Sequence, residues 1–172
     1  MSSNPTSVTP ATTPQHEVMS QFSRSGTNIT PGGFKLEQIS AMLGKNVFYA
    51  YDRAVIAQQV QRFRAAVPAR IKLHYAIKAN PYWPVVQYMR PLVDGFDVAS
   101  QKEMLLAMQS GMPVHDISFA GPGKIDTELA AAITAGVTLN VESVNELKRI
   151  CQLGQQLQLT PAVALRVNPA FE

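Results

Sequence analysis

The sequence predicts an α/β fold, a partial (βα)8 TIM-type barrel with about five of the eight strands, and two observations carry that reading. From Ile71 onward a strand-like run and a helix-like run alternate about every 20 to 25 residues, the length of one strand, one helix and two short loops. Each strand-like run also has one bulky apolar face and one small or polar face. An open sheet covered by helices on both sides gives near-continuous apolar strands. A barrel has one face under helices and the other lining an interior that becomes functional at the C-terminal strand ends. The face pattern selects the barrel.

Residues 1–33 are rich in Ser, Thr, Pro, Gln and Asn, with only Glu17 and Arg24 charged, and read as a disordered tail. Residues 34–172 read as the barrel part. Phe34, Leu36, Ile39 and Leu43 before Gly44 predict a short helix with a glycine stop. Val47–Tyr51 reads as a strand, and Asp52 as the N-cap of a helix that places Ile56, Val60, Phe63 and Val67 at helical spacing. Barrel strands follow at Ile71–Lys78, Gly95–Ala99, Ile117–Ala120, Thr138–Val141 and Ala162–Val167. The helices between them start at firm caps: Asn80 before Pro81, and the capping boxes Ser100–Glu103 and Ser143–Glu146.

Bulk properties exclude several functions. A chain of 172 residues, 46% hydrophobic, is that of a globular protein, and a net charge of +3 from scattered cations leaves no nucleic-acid footprint. Cys151, the single cysteine, rules out an internal disulfide, and its helical spacing reads as a buried apolar thiol. No run approaches the roughly 20 apolar residues of a membrane span, and the N-terminus lacks the basic start and apolar core of a secretory signal. A cytoplasmic location with no membrane or nucleic-acid partner is expected. No His, Cys or carboxylate spacing points to a metal.

The alternation puts His74, Ala76 and Lys78 on the interior face of the first barrel strand. Lys78, at the strand's C-terminal end, fits either a rim ammonium or, if enclosed, an amine nucleophile toward an aldehyde cofactor. Asp97 and Arg166 fall on the same face of later strands. An interior ion pair accounts for Asp97, and a partnership with Asp97 or Glu142 for Arg166. Glu103 is explained by its capping box, and His74 by a core-lining position below the reactive level. The Gly121–Lys124 loop reads as a tight turn into a helix.

The segment Tyr75-Ala76-Ile77-Lys78-Ala79-Asn80-Pro81 resembles a motif of the fold-type III pyridoxal-phosphate-dependent decarboxylases of the ornithine, diaminopimelate and arginine type. Phe48–Asp52, Gly95–Ser100 with Glu103, Gly121–Lys124, Asn140–Ser143 and Leu165–Pro169 resemble further segments of that family in its order. The resemblance implies an alanine-racemase-like barrel with pyridoxal 5'-phosphate as cofactor, held by Lys78 as an internal Schiff base. It also implies Asp97 close to that lysine and Arg166 near the cofactor's ring and phosphate, with Glu103 and His74 as further candidates. The implied activity is decarboxylation of a small amino acid, diaminopimelate-like or ornithine-like, by a protein that is a homodimer at full length. Three barrel strands, the glycine-rich phosphate loop and the C-terminal β domain of that family have no counterpart in these residues. The expectation is an N-terminal segment that is inactive alone and whose exposed strand edges invite association. Alternatives are a pyridoxal-phosphate-dependent racemase, whose related motif continues differently from Pro81-Tyr82-Trp83-Pro84, and an inactive regulatory homologue that binds other subunits.

Overall fold

A computed structural model describes residues 20–169. The chain divides into two compact units, Met1–Gln59 and Val60–Glu172. In the first, β1 (Arg24–Ser25) and β2 (Asn28–Ile29) pair antiparallel around a turn that holds Gly26 at φ 65°. Thr30 donates its N–H to the Ser23 carbonyl at 2.7 Å, closing the hairpin. Regular structure therefore begins before Phe34, inside the segment read as a tail, because this turn meets its hydrogen bonds locally with polar residues and needs no apolar pattern. Residues 1–19 of that expected tail lie outside the described residues.

Helix α1 (Leu36–Leu43) ends at Gly44 in the left-handed conformation, φ 63°, as its glycine stop predicts. Val47–Tyr51 forms no strand: no segment among the described residues pairs with it, and Val47 and Tyr49 are 89% and 90% exposed. Strand propensity without a ladder partner leaves only an extended segment. Asp52 caps α2 (Arg53–Ala66), its Oδ1 accepting the Ala54 N–H at 2.9 Å while Oδ2 accepts the Gly32 N–H at 2.8 Å. These amides, Gly32 foremost, hold its carboxyl below the ordinary aspartate range.

The second unit carries the barrel part. It runs β3 (His74–Ala76), a 3-10 turn (Ile77–Ala79), α3 (Trp83–Met89), β4 (Gly95–Val98), α4 (Gln101–Gln109), β5 (Ile117–Phe119), α5 (Asp126–Ala135), β6 (Thr138–Val141), α6 (Val144–Leu157) and β7 (Val163–Leu165). The five strands β3 to β7 form one parallel sheet in sequential order. A doubly wound sheet reverses its strand order at a switch point. This sheet never reverses, which is the order of a segment of barrel wall.

The predicted faces hold in the central strands. Phe96, Val98, Ile117, Phe119 and Leu139 are buried, as are Val86, Met104, Leu129 and Ile150 of the helices, while Asp97, Ser118 and Asn140 on the other face are half-buried. Gly95 has no room for a side chain, since the His74 ring and the Asp116 carbonyl occupy the place a Cβ would take. Three expectations are corrected. The first barrel strand stops at Ala76, and Lys78 sits in the following 3-10 turn, exposed rather than enclosed. Val163 and Leu165 of β7 are 44% and 66% exposed, because no helix among the described residues covers that edge strand. Cys151 is exposed: the inward stripe of α6 runs through Glu146, Ile150 and Gly154, one position to the side.

Candidate functional site

The polar sheet face ends in a concavity of about 330 Å³ at the C-terminal strand ends, lined by Asp97, Ala120, Asn140, Glu142, Ala164, Leu165 and Arg166. Register explains how residues from four strands meet there. Asp97 shares a row with Ala76 and Ser118, whereas Arg166 follows Leu165, the partner of Val141, and so lies further along the strands. The two expected residues thus border one concavity from different rows rather than from one level, as the stagger of a tilted barrel wall requires. Lys78 lies beyond Ala76, the register partner of Asp97, at the same end of the sheet but outside that lining.

Each carboxylate here has named partners. Asp97 Oδ1 accepts the Ser118 hydroxyl at 2.8 Å. Glu142 Oε1 accepts the Gly121 N–H at 2.8 Å, and its Oε2 pairs with Arg166 Nη1 at 3.0 Å. The Gly121 amide, and after it the Arg166 guanidinium, holds Glu142 below the ordinary glutamate range. A depressed carboxyl contributes stability that is present above its unfolded-state pKa and is lost as pH falls through the lower folded value. The Arg166 partnership with Glu142, one of two foreseen in the sequence, is the one formed, with the guanidinium side chain 59% exposed.

Glu103 is a capping residue. Its N–H reaches Ser100 Oγ at 3.2 Å, and its Oε2 accepts the Ala99 N–H at 2.9 Å, so its carboxylate is turned back on its own helix start. His74 is exposed and stands over Gly95 at the opposite end of β3 from Lys78. Among the described residues no group of His, Cys, Asp or Glu could hold a metal ion, and no helix is long and apolar enough to cross a membrane.

Comparison with known proteins fixes the family. The model of the pyridoxal-dependent decarboxylase pyridoxal-binding domain matches residues 53–172. The chain belongs to the pyridoxal-dependent decarboxylase family. Among curated relatives, a 2-[(L-alanin-3-ylcarbamoyl)methyl]-2-hydroxybutanedioate decarboxylase of Staphylococcus aureus is 34% identical over 136 residues, 78% of this chain and 34% of that protein. A diaminopimelate decarboxylase of Aquifex aeolicus is 32% identical over 138 residues, 80% of this chain and 32% of that protein. Among solved structures, AQ1208 of Aquifex aeolicus superposes with a TM-score of 0.79 at 29% identity, covering 88% of this chain and 38% of that one. Diaminopimelate decarboxylase from Helicobacter pylori, complexed with L-lysine, gives 0.64 at 28% identity over 76% of this chain and 34% of that one. The chain spans about a third of the length of the curated relatives it matches. It corresponds to the N-terminal portion of these decarboxylases, the barrel reading holds, and the relatives are lyases rather than racemases.

Sequence reasoning missed the buried pair of this decarboxylase domain, Lys124 with Glu146, and foresaw Glu142 only as a partner of Arg166. Lys124 is buried, 4% exposed, where a turn-forming role alone was expected of its loop. Its Nζ donates to the carbonyls of Gly121 at 2.5 Å and Asn140 at 3.0 Å, and lies 3.1 Å from Glu146 Oε1, an ionic contact off the line of an ideal hydrogen bond. A capping-box glutamate at the start of α6 and a lysine in the loop after β5 were the available signal, but only the fold brings them together.

Proposed function

We propose that this chain is the cofactor-anchoring part of a pyridoxal-phosphate-dependent amino-acid decarboxylase, with Lys78 as the residue that attaches the cofactor aldehyde through its amine. The observation that carries the reading is the family match over residues 53–172 together with the position of Lys78, in the turn that ends the strand beside Asp97. The residues fit an anionic aldehyde: a half-buried carboxylate and a guanidinium with most of its donors free of Glu142 line a concavity at the small end of the ligand-pocket range, and the exposed Lys78 amine lies at the same end of the sheet, outside that lining.

When bound, the cofactor supplies an electron sink for the pair released as carbon dioxide leaves an amino acid. The chain's own residues hold and orient it. Lys78 fixes one end. Arg166, kept in place by Glu142, presents a fixed fork of donors to an anion. Asp97, oriented by the Ser118 hydroxyl, keeps a negative charge near the amine end of the site, favouring the protonated form of any nitrogen beside it. A diaminopimelate-like substrate is preferred over an ornithine-like one because the Arg166-Val167-Asn168-Pro169 segment resembles the diaminopimelate branch. The homodimer and the cytoplasmic location belong to the same reading of the whole protein.

Absorbance titration of the chain with pyridoxal 5'-phosphate tests the holding roles. Arg166→Ala and Asp97→Ala should each weaken binding by about tenfold or more, as loss of a charge-assisted contact does. Unchanged affinity in both folded variants would remove these residues from the site.

A further inference from the structure

Four residues, of which Glu142 lines the concavity, close a ring of contacts. Lys124 Nζ holds the Gly121 carbonyl, the Gly121 N–H is held by Glu142, the Glu142 N–H is accepted by Glu146 Oε2 at 2.8 Å, and Glu146 returns to Lys124 through its other oxygen. Gly121 is therefore gripped at both its donor and its acceptor. It sits at φ 113° with open space where a Cβ would be, so its glycine is demanded by backbone conformation rather than by room. Arg166 attaches to the ring from outside through Glu142, which brings two cations and two carboxylates into balance. The Lys124 and Glu146 side chains are 1% and 5% exposed, and neither lines the concavity.

Such a pair is out of proportion for a loop that needs only a turn. Burying two charges is repaid only when geometry is good and the remaining donors and acceptors are satisfied. Lys124 donates to two carbonyls, meets Glu146 Oε1 as an ionic contact without a hydrogen bond, and has its ammonium 5.8 Å from the Phe119 ring centroid. The ring fixes the end of β6, the loop after β5 and the start of α6 against each other. Glu142 is the member that lines the concavity, and its carboxylate is aimed by Gly121 on one oxygen while the other is offered to Arg166.

We propose that Lys124 and Glu146 are positioning residues for the site: their buried pair sets the carboxylate of Glu142, and through it the guanidinium of Arg166. The inference rests on the reading of Arg166 as an anion-holding residue.

The test uses the full chain and the variants Lys124→Met and Glu146→Gln. The second keeps an acceptor for the Glu142 N–H while replacing the oxygen that faces Lys124 by an uncharged amide nitrogen. NMR hydrogen exchange should find the Gly121 amide opening about tenfold or more faster in both, with the Glu142 carboxyl titration moving up toward the ordinary range in Lys124→Met. Pyridoxal 5'-phosphate affinity supplies the second readout: Lys124→Met combined with Arg166→Ala should lose little more than Arg166→Ala alone, as expected if one acts through the other. Folded variants with Gly121 exchange and Glu142 titration unchanged would overturn the assignment. So would unfolding of Glu146→Gln as well as Lys124→Met, which would make the pair a requirement of folding alone. If the wild-type chain binds no pyridoxal 5'-phosphate, the functional reading fails while the positioning claim is still decided by the two NMR measurements.

Discussion

Lys124→Met should destabilise the chain in urea by about 3–5 kcal/mol, the range found when one partner of a buried ion pair is removed and the other is left without a counter-charge. The burial of both side chains places this pair in that class rather than among surface pairs, which contribute about 0–1 kcal/mol. The cost has two sources. Glu146 keeps its contact with the Glu142 N–H but loses the cation at its other oxygen, and the carbonyls of Gly121 and Asn140 lose their donor. Lys124→Met combined with Glu146→Gln removes both charges and should recover a substantial part of the loss. A single variant within about 1 kcal/mol of wild type would mean that water reaches the pair in solution. By comparison, Arg149 bound to Asp126 at 2.6 Å is a surface pair, and its loss should be small.

The second large effect is steric. Gly95→Ala should cost about 3 kcal/mol, the upper part of the range for overpacking a filled site. The new methyl would fall onto the Asp116 carbonyl and within 2.5 Å of the His74 ring. The imidazole is exposed and can rotate away, but the carbonyl belongs to the backbone just before β5 and can yield only by shifting that strand. His74→Ala alone should therefore be mild, and His74→Ala combined with Gly95→Ala should remain nearly as unstable as Gly95→Ala. Full rescue by the double variant, read as a restored urea midpoint, would place the clash in the ring instead. The comparison also decides what His74 does. In the structure it stands over Gly95 at the N-terminal end of β3, away from Lys78, and it is exposed rather than core-lining as its place in the strand alternation predicts, because β3 is an edge strand of the sheet.

Most of the barrel wall was legible because its signals are local. Alternating faces in β4, β5 and β6 and the caps at Ser100 and Ser143 are written in consecutive residues, and β6 matches its predicted bounds of Thr138–Val141. What failed depends on partners that a local pattern does not contain. Val47–Tyr51 has strand composition but no neighbour to pair with, and β7 has an apolar face but no helix over it. Lys78 continues the alternation of its strand on paper, yet the backbone turns into a 3-10 coil after Ala76, so the amine is exposed at the sheet's edge strand. The site was half-legible for the same reason. Asp97 and Arg166 could be assigned to one face, and they do meet at one concavity. The ring that holds Arg166 draws on the loop after β5, the end of β6 and the start of α6, and no spacing within one element announces it.

The central claim is that Lys78 attaches the cofactor, and reductive trapping tests it most directly. The chain is incubated with pyridoxal 5'-phosphate, reduced with borohydride, digested and mapped by mass spectrometry. One pyridoxyl phosphate group per chain is expected, carried by the peptide containing Lys78 and lost in Lys78→Arg. Labelling spread over surface lysines, or persisting unchanged in Lys78→Arg, would contradict it.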